Sequence, residues 1–308
     1  MHFSSDQANT ARTWNGKPVR HCEIPASWSG KLRIWRYIVL RRLTQLLALL
    51  LFLGSFHWGW SALGAPLLQG NYSASELLGQ IPLADPFAVL QQLVAGHMLA
   101  TEVLHGAAMI LLFYIFVGGR VWCAWFCPIN PITDFAAWLR ARLGIRDSFQ
   151  ISRRVRYWVL GLSVVLSLLT GVAAFEWVSP ISMLHREVIF GLGMGWIMLI
   201  GVFLFDLLVI RHGWCGHLCP LGAFYALAGR IAPLRVRFDA NACTRCGDCA
   251  RICPEPQVLN FAHMERNGGM VAAGECSNCG RCTPVCPENC LYFDWRWSVV
   301  RATKTTHH

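Results

Sequence analysis

The chemistry of this chain is concentrated in eight cysteines near its carboxyl end. Cys243, Cys246, Cys249 and Cys253 run up to Pro254, and Cys276, Cys279, Cys282 and Cys286 run up to Pro287. Each run reads C-x2-C-x2-C-x3-C-P. With that spacing three thiolates of one tight loop converge on a 4Fe–4S cubane, and the fourth, followed by proline, turns away to ligate the neighbouring cluster. The expected ligand sets are therefore Cys243, Cys246, Cys249 and Cys286 for one cluster, and Cys276, Cys279, Cys282 and Cys253 for the other. A zinc ribbon needs two C-x2-C pairs rather than two quartets ending in Cys-Pro. Disulfides need an oxidising compartment. Gly247 and Gly280 let the backbone wrap close to sulfide and donate N–H groups to it.

A second constellation lies upstream. W-C-A-W-F-C-P places Cys123 and Cys127 before Pro128, and W-C-G-H-L-C-P places Cys215 and Cys219 before Pro220. On a helix, positions i and i+4 share a face, so each C-x3-C-P pair presents two sulfurs to one side and the proline ends the turn. If the pairs meet, four thiols form a further site for an iron–sulfur cluster or another metal, or a dithiol relay. The plain alternative is that buried cysteine is simply small and apolar; duplication at equivalent sites argues against it, and the spacing does not select a metal. Trp122, Trp125 and Trp214 read as interfacial anchors. His217 reads either as an aid to a thiolate or as a hydrogen-bonded surface histidine. Cys22 reads as an unengaged thiol, and Cys290 falls outside both motif types.

These residues must be positioned by a chain of 308 residues that is 55% apolar and only 14% charged, a balance that indicates a membrane class. The formal charge is +10. The arginines flank apolar spans and form no basic patch with interleaved aromatics, so nucleic acid is excluded as a partner. Four spans are predicted, at about 43–63, 99–117, 157–178 and 188–210. Each is near the ~20 residues that cross a hydrocarbon core of ~30 Å, and each must be helical because lipid leaves the backbone to satisfy itself. Lys31, Arg33, Arg36, Arg41 and Arg42 precede the first span. No Lys or Arg occurs from Leu43 through Gly119. Arg120, Arg140, Arg142, Arg146, Arg153, Arg154 and Arg156 follow the second span, only Arg186 lies between the third and fourth, and Arg211, Arg230, Arg235 and Arg237 follow the fourth. This asymmetry puts both termini in the cytoplasm.

The expected fold is thus a membrane α-helical bundle of four transmembrane helices plus a small α+β ferredoxin-like domain with two 4Fe–4S clusters. Its parts are a cytoplasmic N-terminal arm (1–36), the transmembrane domain with both C-x3-C-P motifs (37–235), the two-cluster domain (236–297) and a tail (298–308). The polar head is too long for a cleaved secretory signal, so the first span reads as a retained anchor. In the outer loop 64–98, residues 85–94 look like a short capped helix lying in the outer interface. A packing role is favoured there over a quinol or partner surface.

Ionisable groups inside a membrane are functional candidates. Asp206 sits near the end of the fourth span, and Glu102 and His105 share a face of the second. These three are the candidate proton acceptors, since quinol oxidation releases protons; no catalytic residue is assigned beyond them. The bland reading pairs Asp206 with Arg211 or His212, and Glu102 with His105. His57 and Glu176 end spans. No C-x2-C-H occurs, so no c-type haem is expected, and His97 and His105 form no obvious haem pair.

The combination of four spans, two C-x3-C-P motifs, G-W-C-G-H-L-C-P from Gly213, two cluster motifs, N-P-I-T-D from Asn130 and F-D-L-L-V from Phe205 resembles the NapH family. These are membrane ferredoxin-type subunits of periplasmic nitrate reduction systems, and the resemblance covers about residues 36–297. It implies an inner-membrane quinol dehydrogenase component passing electrons from quinol towards periplasmic nitrate reductase. The implied partners are a NapG-like ferredoxin subunit, a NapC-like multihaem cytochrome and the quinone pool. The NosR family shares the motifs but carries a large flavin-binding periplasmic domain, for which loop 64–98 is too short. The CcoG family continues into an extra C-terminal domain, but it supplies the alternative reading: a metal-handling or assembly factor that binds or reduces copper through Cys123, Cys127, Cys215 and Cys219. One difficulty accompanies the topology. Cytoplasmic clusters and a periplasmic reductase lie on opposite sides of a ~30 Å core, so either the quinone pool shuttles electrons or the C-x3-C-P site and a partner bridge the gap.

Overall fold

The apolar sequence after the N-terminal arm folds as helix α1, Trp28–His57, which begins well before the expected span. The computed structural model describes residues 13–14, 17–19, 21–22, 27–62, 64–145, 151–191 and 193–297. Most of the expected arm, Arg146 and the tail 298–308 lie outside the described residues. After α1 the chain turns through Gly59, whose φ of +62° suits a residue without Cβ. It then forms a small hairpin and a three-stranded antiparallel sheet of Leu68–Gly70, Ala74–Leu77 and Ile81–Ala84. Asp85 caps helix α2, Pro86–Val94, by accepting from the Ala88 N–H, and Pro86 occupies the first turn where no N–H is needed. Helices α3 (Thr101–Val117), α4 (Val121–Trp125), α5 (Ile129–Leu143), α6 (Val155–Thr170), α7 (Ala174–Val178), α8 (Pro180–Phe190) and α9 (Gly195–Leu204) follow. α9 runs into a π turn at Phe205–Val209, a second π turn spans Trp214–Leu218, and helix α10 is Pro220–Gly229.

Two expected spans are shorter than the apolar sequence suggests. The helix expected over 157–178 stops at Thr170, where Gly171 takes a left-handed conformation with φ +68°. The one expected over 188–210 is interrupted after Phe190, where Gly191 has φ +97°. Among the described residues only α1 is both long and apolar enough to cross a membrane unaided; the other apolar helices run to 10–17 residues. The reason is visible in the segment 64–98, where α2 packs against α3 and α6. Phe87 is fully buried, and its ring meets Phe175 at 5.8 Å and Phe224 at 5.5 Å. The helices shorten around an interior partly filled by this returning segment.

The carboxyl end folds around its own small core. Strand Leu234–Phe238 pairs antiparallel with Leu291–Trp295, Val236 opposite Phe293, and so closes the segment that carries the eight motif cysteines. Between the strands lie helices α11 (Asp248–Ile252) and α12 (Phe261–Arg266). Val236, Val258, Leu259, Met264, Val271 and Leu291 pack beneath the cysteine loops.

Candidate metal centres

The two cysteine loops repeat one backbone path. Arg245 and Gly247 of the first have φ of +53° and +84°, and Asn278 and Gly280 at the matching places in the second have +46° and +73°. These left-handed turns aim N–H groups at the sulfurs: Arg245 N donates to Cys243 Sγ at 3.3 Å, and backbone N–H groups also reach Cys246, Cys249, Cys253 and Cys276. Such bonds are what a thiolate-bound cluster requires of its loop.

The sulfurs gather at two pockets. One is lined by Cys243, Cys246, Cys249 and Cys286. The other is lined by Cys276, Cys279, Cys282 and Cys253. Donor set and N–H groups together fit a cubane at each.

The surroundings of the two cages differ. The first has Phe238 and Phe261 in its wall, the carboxylate of Asp248 nearly buried beside it, and a fifth cysteine, Cys290, with Sγ 3.1 Å from that of Cys286. Hydrogen bonding from Cys290 holds the Cys243 thiol down to about 7 and the Cys286 thiol down to about 6. Sequence reasoning gave Cys290 no role; only its return along the closing strand brings it here. The main chain at Cys22 reaches this cage: its backbone N–H donates to Asp248 at 2.8 Å, next to His21, whose Nδ1 is 3.3 Å from the same carboxylate.

The second cage is pressed against the helical body. Asn278 donates to Val117 O at 3.0 Å and Leu234 O at 2.9 Å, and Trp125 Nε1 donates to Asn278 O at 3.3 Å. Asp134 of the N-P-I-T-D segment is ion-paired with Arg42 and with Arg281 of the cysteine loop. Glu255, two residues past Cys253, is held by Arg120 at 2.7 Å, by Arg156 at 3.1 Å and by Arg153. Burial pushes the Glu255 carboxyl up, but these three guanidinium groups outweigh it and hold it at about 2. Burial raises the Cys253, Cys276 and Cys282 thiols.

The C-x3-C-P cysteines meet as well. Cys123 lies on α4, Cys127 and Cys219 are buried just ahead of the prolines that open α5 and α10, and Cys215 is in the π turn. All four lie within electrostatic reach of one another. Burial pushes them up, Cys219 to about 12. Thiols so raised are poor nucleophiles for a relay and need a metal to ionise. Among the described residues no group of three or more His, Cys, Asp or Glu could hold a single metal ion. Arg120 links this site to the second cage. It donates to Cys215 O at 3.1 Å, to the Cys123 thiol, to Glu255, and to Glu275 O at 3.1 Å beside Cys276.

Comparison with known proteins agrees with this division. Residues 99–146 and 192–238 match a family described as a 4Fe-4S binding domain, and each of these segments carries one C-x3-C-P pair. Residues 235–287 match a 4Fe-4S dicluster domain. The ferredoxin-type protein NapH of Escherichia coli is 46% identical over 75% of this chain and 79% of its own length, and NapH of Haemophilus influenzae is 46% identical over 73% and 77%. The methylamine utilization ferredoxin-type protein MauN of Methylorubrum extorquens is 47% identical over 80% and 84%. The chain belongs to the NapH/MauN family of ferredoxin-type proteins. It is an iron–sulfur electron-transfer protein of that family. No solved structure matches it.

Other expected residues of this NapH/MauN-type chain fall differently. Glu102 and His105 are exposed on α3 and are not brought to any cysteine site. Asp206 is fully buried, and its partner is the Trp214 N–H at 2.8 Å rather than Arg211 or His212; its Oδ2 has no partner. Arg140 donates to the carbonyls of the same π turn. His217 is buried rather than at the surface. Trp122, Trp125 and Trp214 pack into the core around the four thiols instead of anchoring an interface. His57 and His97 bond the carbonyls of Ile189 and Gly171, and Glu176 accepts from Ser73 and Ser182.

Proposed function

We propose that this chain is the membrane electron-transfer subunit of a quinol-oxidising system, with three iron–sulfur centres in a row. The first cage holds a cluster on Cys243, Cys246, Cys249 and Cys286, the second on Cys253, Cys276, Cys279 and Cys282, and the third on Cys123, Cys127, Cys215 and Cys219. The clusters supply one-electron storage; the chain places them, screens them from water and balances their charge. The observation that carries the reading is the meeting of the two C-x3-C-P pairs in a buried core next to the second cage. The third site lies among aromatic residues reached by the returning outer loop: Tyr225, on α10, donates to Asp85 at 2.8 Å. That arrangement shortens the gap between cytoplasmic clusters and an outer partner.

In this reading α1, α3, α6 and the α8–α9 pair span the inner membrane with both termini cytoplasmic, as the arginine asymmetry supports. Asp206 is kept as the candidate proton acceptor, because it is buried with one free oxygen and Cys215 lies within electrostatic reach. The partners are a NapG-like ferredoxin subunit, a NapC-like multihaem cytochrome and the quinone pool. Nitrate reductase is the terminal acceptor by the NapH likeness. The MauN likeness is as high and favours the same electron-transfer role in methylamine utilization. An iron–sulfur centre is preferred to copper because both C-x3-C-P segments match the 4Fe-4S binding-domain family.

The test is anaerobic mixing of purified full-length protein with a short-chain quinol analogue. Bleaching of the iron–sulfur absorbance is expected, with its loss when Cys123, Cys127, Cys215 and Cys219 are all changed to Ser. Stoichiometric copper on these four thiols, with no response to quinol, overturns the reading.

A further inference from the structure

Buried arginines crowd the second cage, and several of them have hydrogen-bonding capacity that the protein leaves unused. Arg235 is fully buried; one Nη donates to Ala273 O at 3.2 Å, while its Nε and other Nη find no partner. Arg281, in the wall of the cage, pairs with Asp134 but leaves Nε unpartnered. Arg41 and Arg120 each leave one N–H unpartnered too. Arg235 is in electrostatic reach of Cys276, Arg281 of Cys279 and Cys253, and Arg41 of Cys279. The carboxylates there are Asp134, Glu255 and Glu275, against Arg41, Arg120, Arg156, Arg235 and Arg281; Glu275 is itself engaged by the Tyr157 hydroxyl at 2.7 Å. A guanidinium buried without an anion costs several kcal/mol. Positive charge therefore exceeds the protein's own negative charge on this side. A cubane held by four thiolates is net negative, and it is the anion that this surplus lacks.

The first cage carries no such surplus of buried arginine. Asp248 is buried beside it, met by the exposed Arg251 at 3.5 Å and by His21 at 3.3 Å, Glu288 is in its wall, and Arg245 is partly exposed and engaged by Glu265 at 2.9 Å. Cluster potentials follow local charge, hydrogen bonds to sulfur and exposure.

We propose that Arg235 and Arg281 are positioning residues for charge, built-in counter-ions that set the reduction potential of the second cluster above that of the first. The pair then holds a single electron on the inner cluster, next to Arg120 and the four-thiol site. This rests on the reading that both cages carry 4Fe–4S clusters.

The experiment is an anaerobic redox titration of the full-length protein, followed by electron paramagnetic resonance, with iron and sulfide counted on each sample. In Arg235→Gln the midpoint of one of the two carboxyl-terminal clusters should fall, so that at the wild-type midpoint its reduced-to-oxidised ratio drops by roughly tenfold or more, while the midpoint of the other of those two stays. Asp248→Asn should move the other signal, and upward. Arg235→Lys, which keeps the charge, should restore most of the loss. If Arg235→Gln fails to retain iron, Arg281→Gln reads the same shift. Two unmoved midpoints, two equally moved midpoints, or both variants acting on one signal overturns the proposal. Wild-type protein without the iron of two clusters overturns the underlying reading instead.

Discussion

The two cages share a motif, a backbone path and a donor set, yet one faces outward and the other is clamped to the helical body. Gly247 and Gly280 show the contrast at one atom. A Cβ on Gly247 meets nothing within 4 Å, whereas on Gly280 it falls 2.6 Å from the Tyr37 ring of α1. The local fold is dictated by the ligands; what surrounds it is dictated by what docks there. A duplicated motif therefore does not imply duplicated properties, and the second copy is where the cysteine domain meets the rest of the chain.

The most damaging test of the comparison is exchange of a crossed ligand. Cys286→Ser lies in the second motif, but it should abolish the first cluster's resonance and remove about four iron atoms, leaving the second signal intact. Next comes the clamp. Glu255→Gln leaves Arg120, Arg156 and Arg153 without their common anion, a loss of about 3–5 kcal/mol, read as earlier release of iron in a denaturant series. The same pair predicts a pH effect. Because the Glu255 carboxyl is held at about 2 against an ordinary 4.5, its contribution is fully present above pH 4.5 and is lost as pH falls towards 2. That loss amounts to about 3 kcal/mol, seen as a stability difference between wild type and Glu255→Gln that is full above pH 4.5 and closes as pH falls.

Smaller effects sharpen the contrast. Gly280→Ala should cost about 1–2 kcal/mol more than Gly247→Ala, since both strain a left-handed turn but only one also clashes; chemical denaturation of paired variants reads the difference. Cys290→Ala should retain iron but slow alkylation of Cys243 and Cys286 in iron-free protein at pH 7 by about tenfold, because both thiols rise towards their ordinary value. Arg245→Ala, breaking a partly exposed pair, should change stability by less than about 1 kcal/mol.

How much of this was legible follows the range of the interactions. Cysteine spacing is local, so two loops that each converge three thiolates could be read directly, whereas the crossing of Cys286 to the first loop and Cys253 to the second is an expectation from the motif pattern. The left-handed turns at Gly247 and Gly280 could be read for the same reason. The arginines could not. Arg41, Arg120, Arg156 and Arg235 read as markers of membrane sidedness, and that is all a count of charges between apolar spans can say. Arg120 meets Glu255 across 135 positions, and no sequence pattern announces that pairing. The spans were overestimated at Gly171 and Gly191 because hydropathy does not register where a helix must stop to admit another segment, here α2. The tryptophans beside the C-x3-C-P cysteines have the composition of interface anchors, and only packing shows that they wall the thiol site. The N-P-I-T-D segment carried a resemblance but no mechanism until Asp134 was seen to receive Arg42 and Arg281.

The account rests on three iron–sulfur centres rather than two, and a metal count tests that most directly. Anaerobically prepared full-length protein should contain about twelve iron atoms and as many sulfides per chain, falling to about eight when Cys123, Cys127, Cys215 and Cys219 are replaced together by Ser. An iron count that stays the same after that replacement contradicts it.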